Sequence, residues 1–300
     1  MDITELNQRF SITDQLVVTE GEGGLPFIEV KNEQATAIIS LYGGQVLSYK
    51  KQHGEELLFL SRLAYYKQGK AIKGGVPVCW PWFGADPENK GRPAHGFARN
   101  KMWQIRQTEK LSATKTKVIL GLSHDNETMD VWPHEFDLKL EIVVGDKLEL
   151  SLITDNLSDK DIKITQALHT YFSVKDIQQV SIKGLDGGAY LDKAKSNTGA
   201  ENRTQAGDVV FAHEVDRIYL DVAPELIIDD AARNKQINIS SSGNKTAIVW
   251  NPWQQICREM ADLEDADYQR FVCVETANAA DDVISIAPGG QYRLAASYHN

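Results

Sequence analysis

The chain has 300 residues, with 32 Lys and Arg against 42 Asp and Glu for a formal charge of −10. Its 42 % apolar and 25 % charged residues match an ordinary globular chain, which excludes a disordered polymer, a collagen-like repeat and a cysteine-stapled mini-domain. The acid excess argues against a nucleic-acid partner, which needs a basic footprint.

Met1-Asp2-Ile3-Thr4-Glu5 carries neither the basic nor the apolar region of a signal peptide. Residues 3–9 show a short helical period, and strand-like runs follow at 15–20, 25–31 and 35–40. Gly74-Gly75-Val76-Pro77-Val78-Cys79-Trp80-Pro81-Trp82-Phe83-Gly84 then breaks the pattern. Two prolines remove ladder donors there and the glycines admit unusual backbone angles, so a rigid loop is expected. Runs at 102–108 and 116–123 resume the strands. Apolar and polar residues alternate in Asp137-Leu138-Lys139-Leu140-Glu141-Ile142 and again in Lys147-Leu148-Glu149-Leu150-Ser151-Leu152. With Gly145-Asp146 between them, they predict an antiparallel hairpin closed by a type II′ turn. Further runs stand at 161–168, 216–221, 225–229, 235–240, 246–250, 271–275, 283–287 and 291–298, with a second helical period near 254–262.

Many short strands without β-α-β alternation, linker or repeat predict an all-β fold. The expectation is one domain, residues 1–300, of packed antiparallel sheets. The longest apolar stretch, residues 76–85, is broken by two prolines and is too short to cross a membrane. Cys79, Cys257 and Cys273 form an odd set without C-x-x-C spacing. That pattern indicates neither a disulfide framework nor a zinc ribbon, and a reduced cytoplasmic setting is expected. No obligate protein partner is evident.

Charge is unevenly spread. Residues 57–101 hold eight bases (Arg62, Lys67, Lys70, Lys73, Lys90, Arg92, Arg99, Lys101) and two acids (Asp86, Glu88), hence +6 in a chain of −10. A rigid aromatic loop with positive charge suits an anionic, ring-shaped ligand. The alternative, in which the lysines coat a solvated surface and the tryptophans pack the core, stays open on charge alone.

Nucleotide-binding glycine loops, the nucleophile-elbow pattern and H-E-x-x-H are all absent from the sequence. His134-Glu135 and His213-Glu214 are adjacent pairs that point to opposite strand faces, so no metal site is expected. What remains is His169, at the end of 162–168, and Glu275, after the apolar Phe271-Val272-Cys273-Val274. With period two, His169 shares a face with Lys163, Thr165 and Ala167, away from Ile162, Ile164 and Leu168, and Tyr171 joins it. A carboxylate in an apolar strand is costly unless hydrogen-bonded or used. A histidine and a glutamate on one sheet face could move protons on and off a sugar; each could equally be a hydrogen-bonded structural residue.

Five phrases stand in order: Gly74-Gly75-Val76-Pro77, Trp80-Pro81-Trp82-Phe83-Gly84, His95-Gly96-Phe97-Ala98-Arg99, Leu168-His169-Thr170-Tyr171-Phe172 and Val274-Glu275-Thr276-Ala277-Asn278. Together they resemble the glucose-6-phosphate 1-epimerases, or hexose-6-phosphate mutarotases, of the aldose 1-epimerase group in the galactose mutarotase-like superfamily. The resemblance runs from about Gly43 to the C-terminal strand. It implies an antiparallel β-supersandwich and exchange of the α and β anomers of a hexose 6-phosphate, with no cofactor and a sugar phosphate as partner. It further implies His169 as general acid, Glu275 as general base, and Asp216, His95 and Arg99 as substrate-binding residues, with Trp82 and Tyr171 as walls of the site.

Two positions depart from the family pattern: Lys73 where arginine is usual, and Ala94 where a polar side chain precedes His95. Lysine keeps the charge, so Lys73 is also expected to bind the substrate, but it loses the bidentate fork that suits phosphate. Two rival readings are an aldose 1-epimerase for neutral sugars and a non-catalytic sugar-phosphate-binding protein. Glycoside hydrolysis fits less well, because it usually needs two carboxylates.

Overall fold

The computed structural model describes residues 2–195 and 202–300. Among these, nine strands form one antiparallel sheet in the spatial order Val209–Val210, Val180–Lys183, Glu225–Asp230, Lys235–Ser242, Gln291–His299, Leu148–Asn156, Phe136–Val144, Thr116–Ser123, Gln104–Lys110. A second sheet of eight runs Asn202–Thr204, Ala189–Asp192, Val215–Leu220, Thr246–Asn251, Phe271–Asn278, Gln166–Leu168, Val78–Cys79, with Tyr171–Ser173 also on Phe271–Asn278. Leu16–Glu20, Pro26–Lys31, Ala35–Ser40 and Gln45–Lys51 make a four-stranded meander, and Ile162–Ile164 pairs with Ile284–Ile286.

Alternation decides what each face does. In the nine-stranded sheet Leu138, Leu140, Leu150, Leu152 and Leu294 point inward, and from the eight-stranded sheet Tyr219, Val249, Val272 and Val274 join the same core. Each such side chain contributes about 1.5–3 kcal/mol when fully buried. Polar groups at the seam are paired: the Trp80 indole donates to Thr154 Oγ1 at 3.0 Å, and the Thr170 and Tyr298 hydroxyls are 2.7 Å apart. The other face of the eight-stranded sheet, carrying Ala167, Ile218, Ile248 and Ala277, is free to form a pocket.

The hairpin is present, but its connection differs from the expected turn. Val144 stands opposite Leu148, so three residues form the link, and Gly145 lacks the positive φ of a type II′ turn. The 161–168 run is two strands in two sheets. Thr165 interrupts it, its amide donating to the Pro81 carbonyl at 3.1 Å and its hydroxyl accepting the Phe83 amide at 2.9 Å. Helices cover Ile3–Phe10 and Trp253–Glu259, close to the two helical periods. Gln45–Lys51 is a strand without alternation in its sequence, because Val46 and Leu47 are both buried.

Candidate active site

Strand register builds the floor of a cavity of about 600 Å³. Leu191, Ile218, Ile248 and Glu275 stand opposite one another in one row across four strands. Asp216, Trp250, Cys273 and Tyr171 form the next row. Period two survives the break after Leu168: Ala167, His169 and Tyr171 take the pocket side, while Leu168, Thr170 and Phe172 take the core. Backbone bonds hold that segment, His169 N–H to Pro77 at 3.0 Å and Tyr171 N–H to Gly75 at 2.9 Å.

His169 Nε2 lies 3.4 Å from Glu275 Oε1, with both side chains buried. Nδ1 of His169 and Oε2 of Glu275 are buried without hydrogen-bond partners, a costly state unless a ligand satisfies them. The His169 ring stacks on Tyr171 at 4.9 Å and meets Trp250 edge-on. Burial first, then His95, Arg99 and Lys73, hold the imidazole well below its ordinary pKa. Burial and the charge of Asp216 push the Glu275 carboxyl well above the usual range, against Arg99. Both side chains are therefore driven toward their neutral forms, the reverse of the pair a histidine acid and a glutamate base require.

The loop through residues 80–99 brings in the remaining groups. The Trp80 carbonyl accepts from the Phe97 and Ala98 amides at 3.0 and 3.2 Å. A Cβ on Gly96 would lie 2.0 Å from that carbonyl oxygen, so glycine is required for the approach. His95 beside it sits at φ 65°, a conformation that costs a non-glycine residue about 1–3 kcal/mol and concentrates at functional sites. Its amide donates to the Gly84 carbonyl at 2.7 Å and its Nδ1 accepts the Gly84 amide at 3.3 Å. Nδ1 as acceptor places the ring proton on Nε2. Burial, Arg99 and Lys73 lower its pKa to about 3, so it is neutral.

Arg99 Nη2 donates to the Ala94 carbonyl at 3.0 Å, and its Nε is buried without a partner. The backbone of residue 94 thus anchors the arginine without any side-chain help. Lys73 Nζ stands 3.4 Å from Asp262 Oδ2. Asp216 is raised to about 6 by burial and by Glu214 and Asp192. All six residues singled out in the sequence, Lys73, His95, Arg99, His169, Asp216 and Glu275, line this one cavity.

Residues 26–299 match the aldose 1-epimerase family. The chain belongs to that family. A relative from Cenchrus ciliaris bearing the name "Putative glucose-6-phosphate 1-epimerase" is 40 % identical over 266 residues, 86 % of this chain and 79 % of its own length. An Escherichia coli K12 protein of the same name is 39 % identical over 257 residues, 86 % of this chain and 84 % of its own. The crystal structure of YeaD from Salmonella typhimurium, described as a "putative mutarotase", superposes with a TM-score of 0.89 at 32 % identity, covering 97 % of this chain and 95 % of that one. A galactose mutarotase-like protein from Clostridium acetobutylicum shares the fold at 16 % identity and a TM-score of 0.73, over 96 % of this chain and 99 % of that one. The protein is thus an enzyme of the mutarotase-like all-β class, an epimerase acting on sugars. No helix among its described residues is long and apolar enough to cross a membrane.

In this aldose 1-epimerase family member the pocket wall differs in part from the sequence expectation. Trp82 is buried outside the cavity, its indole donating to Pro93 and its ring covered by Arg92 at 4.4 Å; the neighbouring Phe83 lines the pocket instead. Trp250 faces the cavity beside Tyr171. Little of the +6 stretch reaches the cavity. Lys90 and Arg92 bind Glu88 and Asp86, and Lys101 binds Glu127, so of its eight bases only Lys73 and Arg99 line the cavity. Lys193, which the sequence reading passed over, adds a third cation to the wall. Its only sequence signal was its place just after a short strand.

Proposed function

We propose that this protein interconverts the α and β anomers of a hexose 6-phosphate, with D-glucose 6-phosphate the first substrate. One observation carries the reading: His169 and Glu275, each with an unpartnered polar atom, share a pocket with Lys73 and Arg99. The names of the two relatives support the phosphorylated substrate.

In this reading Glu275 takes the proton of the anomeric hydroxyl while His169 protonates the ring oxygen. The ring opens to the aldehyde, and rotation about C1–C2 presents the other carbonyl face. Reclosure returns one proton to His169 and takes one from Glu275. Oxidation state is unchanged throughout, so the reading assigns no cofactor. His95 donates Nε2–H to a sugar oxygen, Asp216 accepts from a hydroxyl, and Lys73 and Arg99 hold the phosphate. Burial first holds the His169 imidazole neutral, with Arg99 and Lys73 adding to it; a dianion there offsets those two charges and favours the acid form once substrate is bound.

The same reading takes residues 1–300 as one domain, supported by a core cluster that spans both large sheets. It takes the setting as cytoplasmic, supported by three buried cysteines that are all free.

Exchange NMR between the anomers of glucose 6-phosphate, with plain glucose and Glu275→Gln in parallel, tests the proposal. Acceleration of the phosphate ester that disappears in the variant supports it. Acceleration of glucose alone moves the assignment to neutral sugars, and acceleration of neither overturns it.

A further inference from the structure

A fully buried sulfur that sugar chemistry does not use lies on the strand that carries Glu275. Cys273 and Glu275 are alternate residues of one strand, and Tyr171 stands directly opposite Cys273. His169, two residues earlier, completes the set. One ligand atom from each of His169, Cys273 and Glu275 lies within 4.8 Å of the others, and all three residues are buried. We propose that these three side chains bind zinc, and that the bound cation shuts off proton transfer in the pocket.

The geometry suits a tetrahedral ion. Bonds of about 2.0–2.3 Å to nitrogen, oxygen and sulfur put neighbouring ligand atoms about 3.3–3.6 Å apart in a tetrahedron, and His169 Nε2 is already 3.4 Å from Glu275 Oε1. The donor set selects the metal. A thiolate with one imidazole and one carboxylate suits zinc, whereas magnesium and calcium prefer oxygen ligands alone. Three protein ligands leave a fourth position, and two of the three, His169 and Glu275, line the cavity of about 600 Å³.

Binding releases the Cys273 thiol proton, and any proton on Glu275, to solvent, so affinity rises with pH. The thiolate and carboxylate supply two negative charges against the two of the cation. Arg99 and Lys73 line the same cavity and limit the affinity by repulsion. The bound ion occupies the imidazole nitrogen and carboxylate oxygen that the sugar needs. Sugar phosphate and zinc therefore exclude each other.

The chelator-treated full chain is titrated with Co²⁺ as a coloured substitute for zinc, and Zn²⁺ is then added in competition. A near-ultraviolet thiolate-to-cobalt absorption band is expected, displaced by Zn²⁺ and by glucose 6-phosphate. Cys273→Ser and Cys273→Ala should lose the band and weaken zinc binding by about tenfold or more, as removal of a ligand must cost at least what loss of its supporting partner does. Cys257→Ala should keep it. In chelated buffer both Cys273 variants should still exchange anomers, and Zn²⁺ should inhibit the parent at concentrations that leave them active. Cobalt binding without the thiolate band overturns the proposal, as does equal zinc inhibition of parent and Cys273→Ala. The absorption band requires no turnover, so a failure of the anomer-exchange reading leaves this test intact.

Discussion

His169 Nε2 and Glu275 Oε1 stand 3.4 Å apart at the floor of the pocket, and the remaining polar atom of each is buried without a partner. In the proposed reaction two groups this close act as one proton-transfer unit. His169→Asn and Glu275→Gln are each expected to lower kcat for anomer exchange by about 10²–10⁴-fold. Because the pair acts as a unit, the double variant should be little worse than the poorer single one. Exchange NMR measures all three, and additive losses would separate the roles of the two residues.

The same burial makes Glu275 a stability cost, with a definite sign. Its folded-state pKa is raised, so the folded chain holds that proton more tightly than the unfolded chain does. Stability from this group is complete below the unfolded value of about 4.3 and is lost as pH rises toward the folded value. Glu275→Gln removes the loss. The variant should melt with the parent near pH 4 and above it at pH 7, each kcal/mol moving the Tm by about 2–4 °C. Melting curves across that range check it; a gap that closes as pH rises contradicts the assignment. Higher stability with lost activity is the usual mark of a site kept for function.

Much of this arrangement was legible in the chain, because period two is a local property. His169, Tyr171 and Ala167 share the pocket side as alternation requires, even though Thr165 splits the run before them. Glu275 stood out for its apolar neighbours, and the structure puts it at the end of the row Leu191, Ile218, Ile248. What failed depended on partners distant in sequence. Lys101 reads as part of a basic patch until Glu127 is found beside it at 2.5 Å. Trp82 leaves the expected wall because its loop turns the indole to the Pro93 carbonyl and under Arg92, a placement that no local period encodes. Gln45–Lys51 was missed since a strand buried on both sides carries no alternation.

Lys73 and Arg99 are the cations of the basic stretch that reach the pocket, and their loss should act on binding. A charge-assisted hydrogen bond contributes about 1.5–3 kcal/mol, which is about ten- to a hundredfold in KM. Lys73→Ala and Arg99→Ala are expected to raise KM for glucose 6-phosphate by that amount and to leave KM for glucose nearly unchanged. Salt should shrink the difference, since the pocket mouth is open to screening. Steady-state kinetics at low and high ionic strength decide the matter. An equal rise for both sugars would make the two residues part of the sugar's binding wall rather than its phosphate site.

Gly96 tests whether the loop geometry sets the position of His95. Gly96 and Gly91 both have positive φ, 72° and 77°, so alanine at either position meets the left-handed penalty of about 1–2 kcal/mol. The surroundings differ. A Cβ at Gly91 finds nothing within 4 Å, whereas at Gly96 it would lie 2.0 Å from the Trp80 carbonyl oxygen, a backbone atom that cannot rotate away. Gly91→Ala should therefore lower the Tm slightly and leave kcat/KM alone. Gly96→Ala should lower the Tm further and push the backbone of 95–97 off Trp80. That displacement breaks the two bonds between His95 and Gly84, one donated by each amide, and reduces kcat/KM at temperatures where the variant is still folded. Melting and exchange kinetics on the two variants separate the shared backbone penalty from the collision; equal effects at both positions would show that Trp80 yields and that the loop does not fix His95.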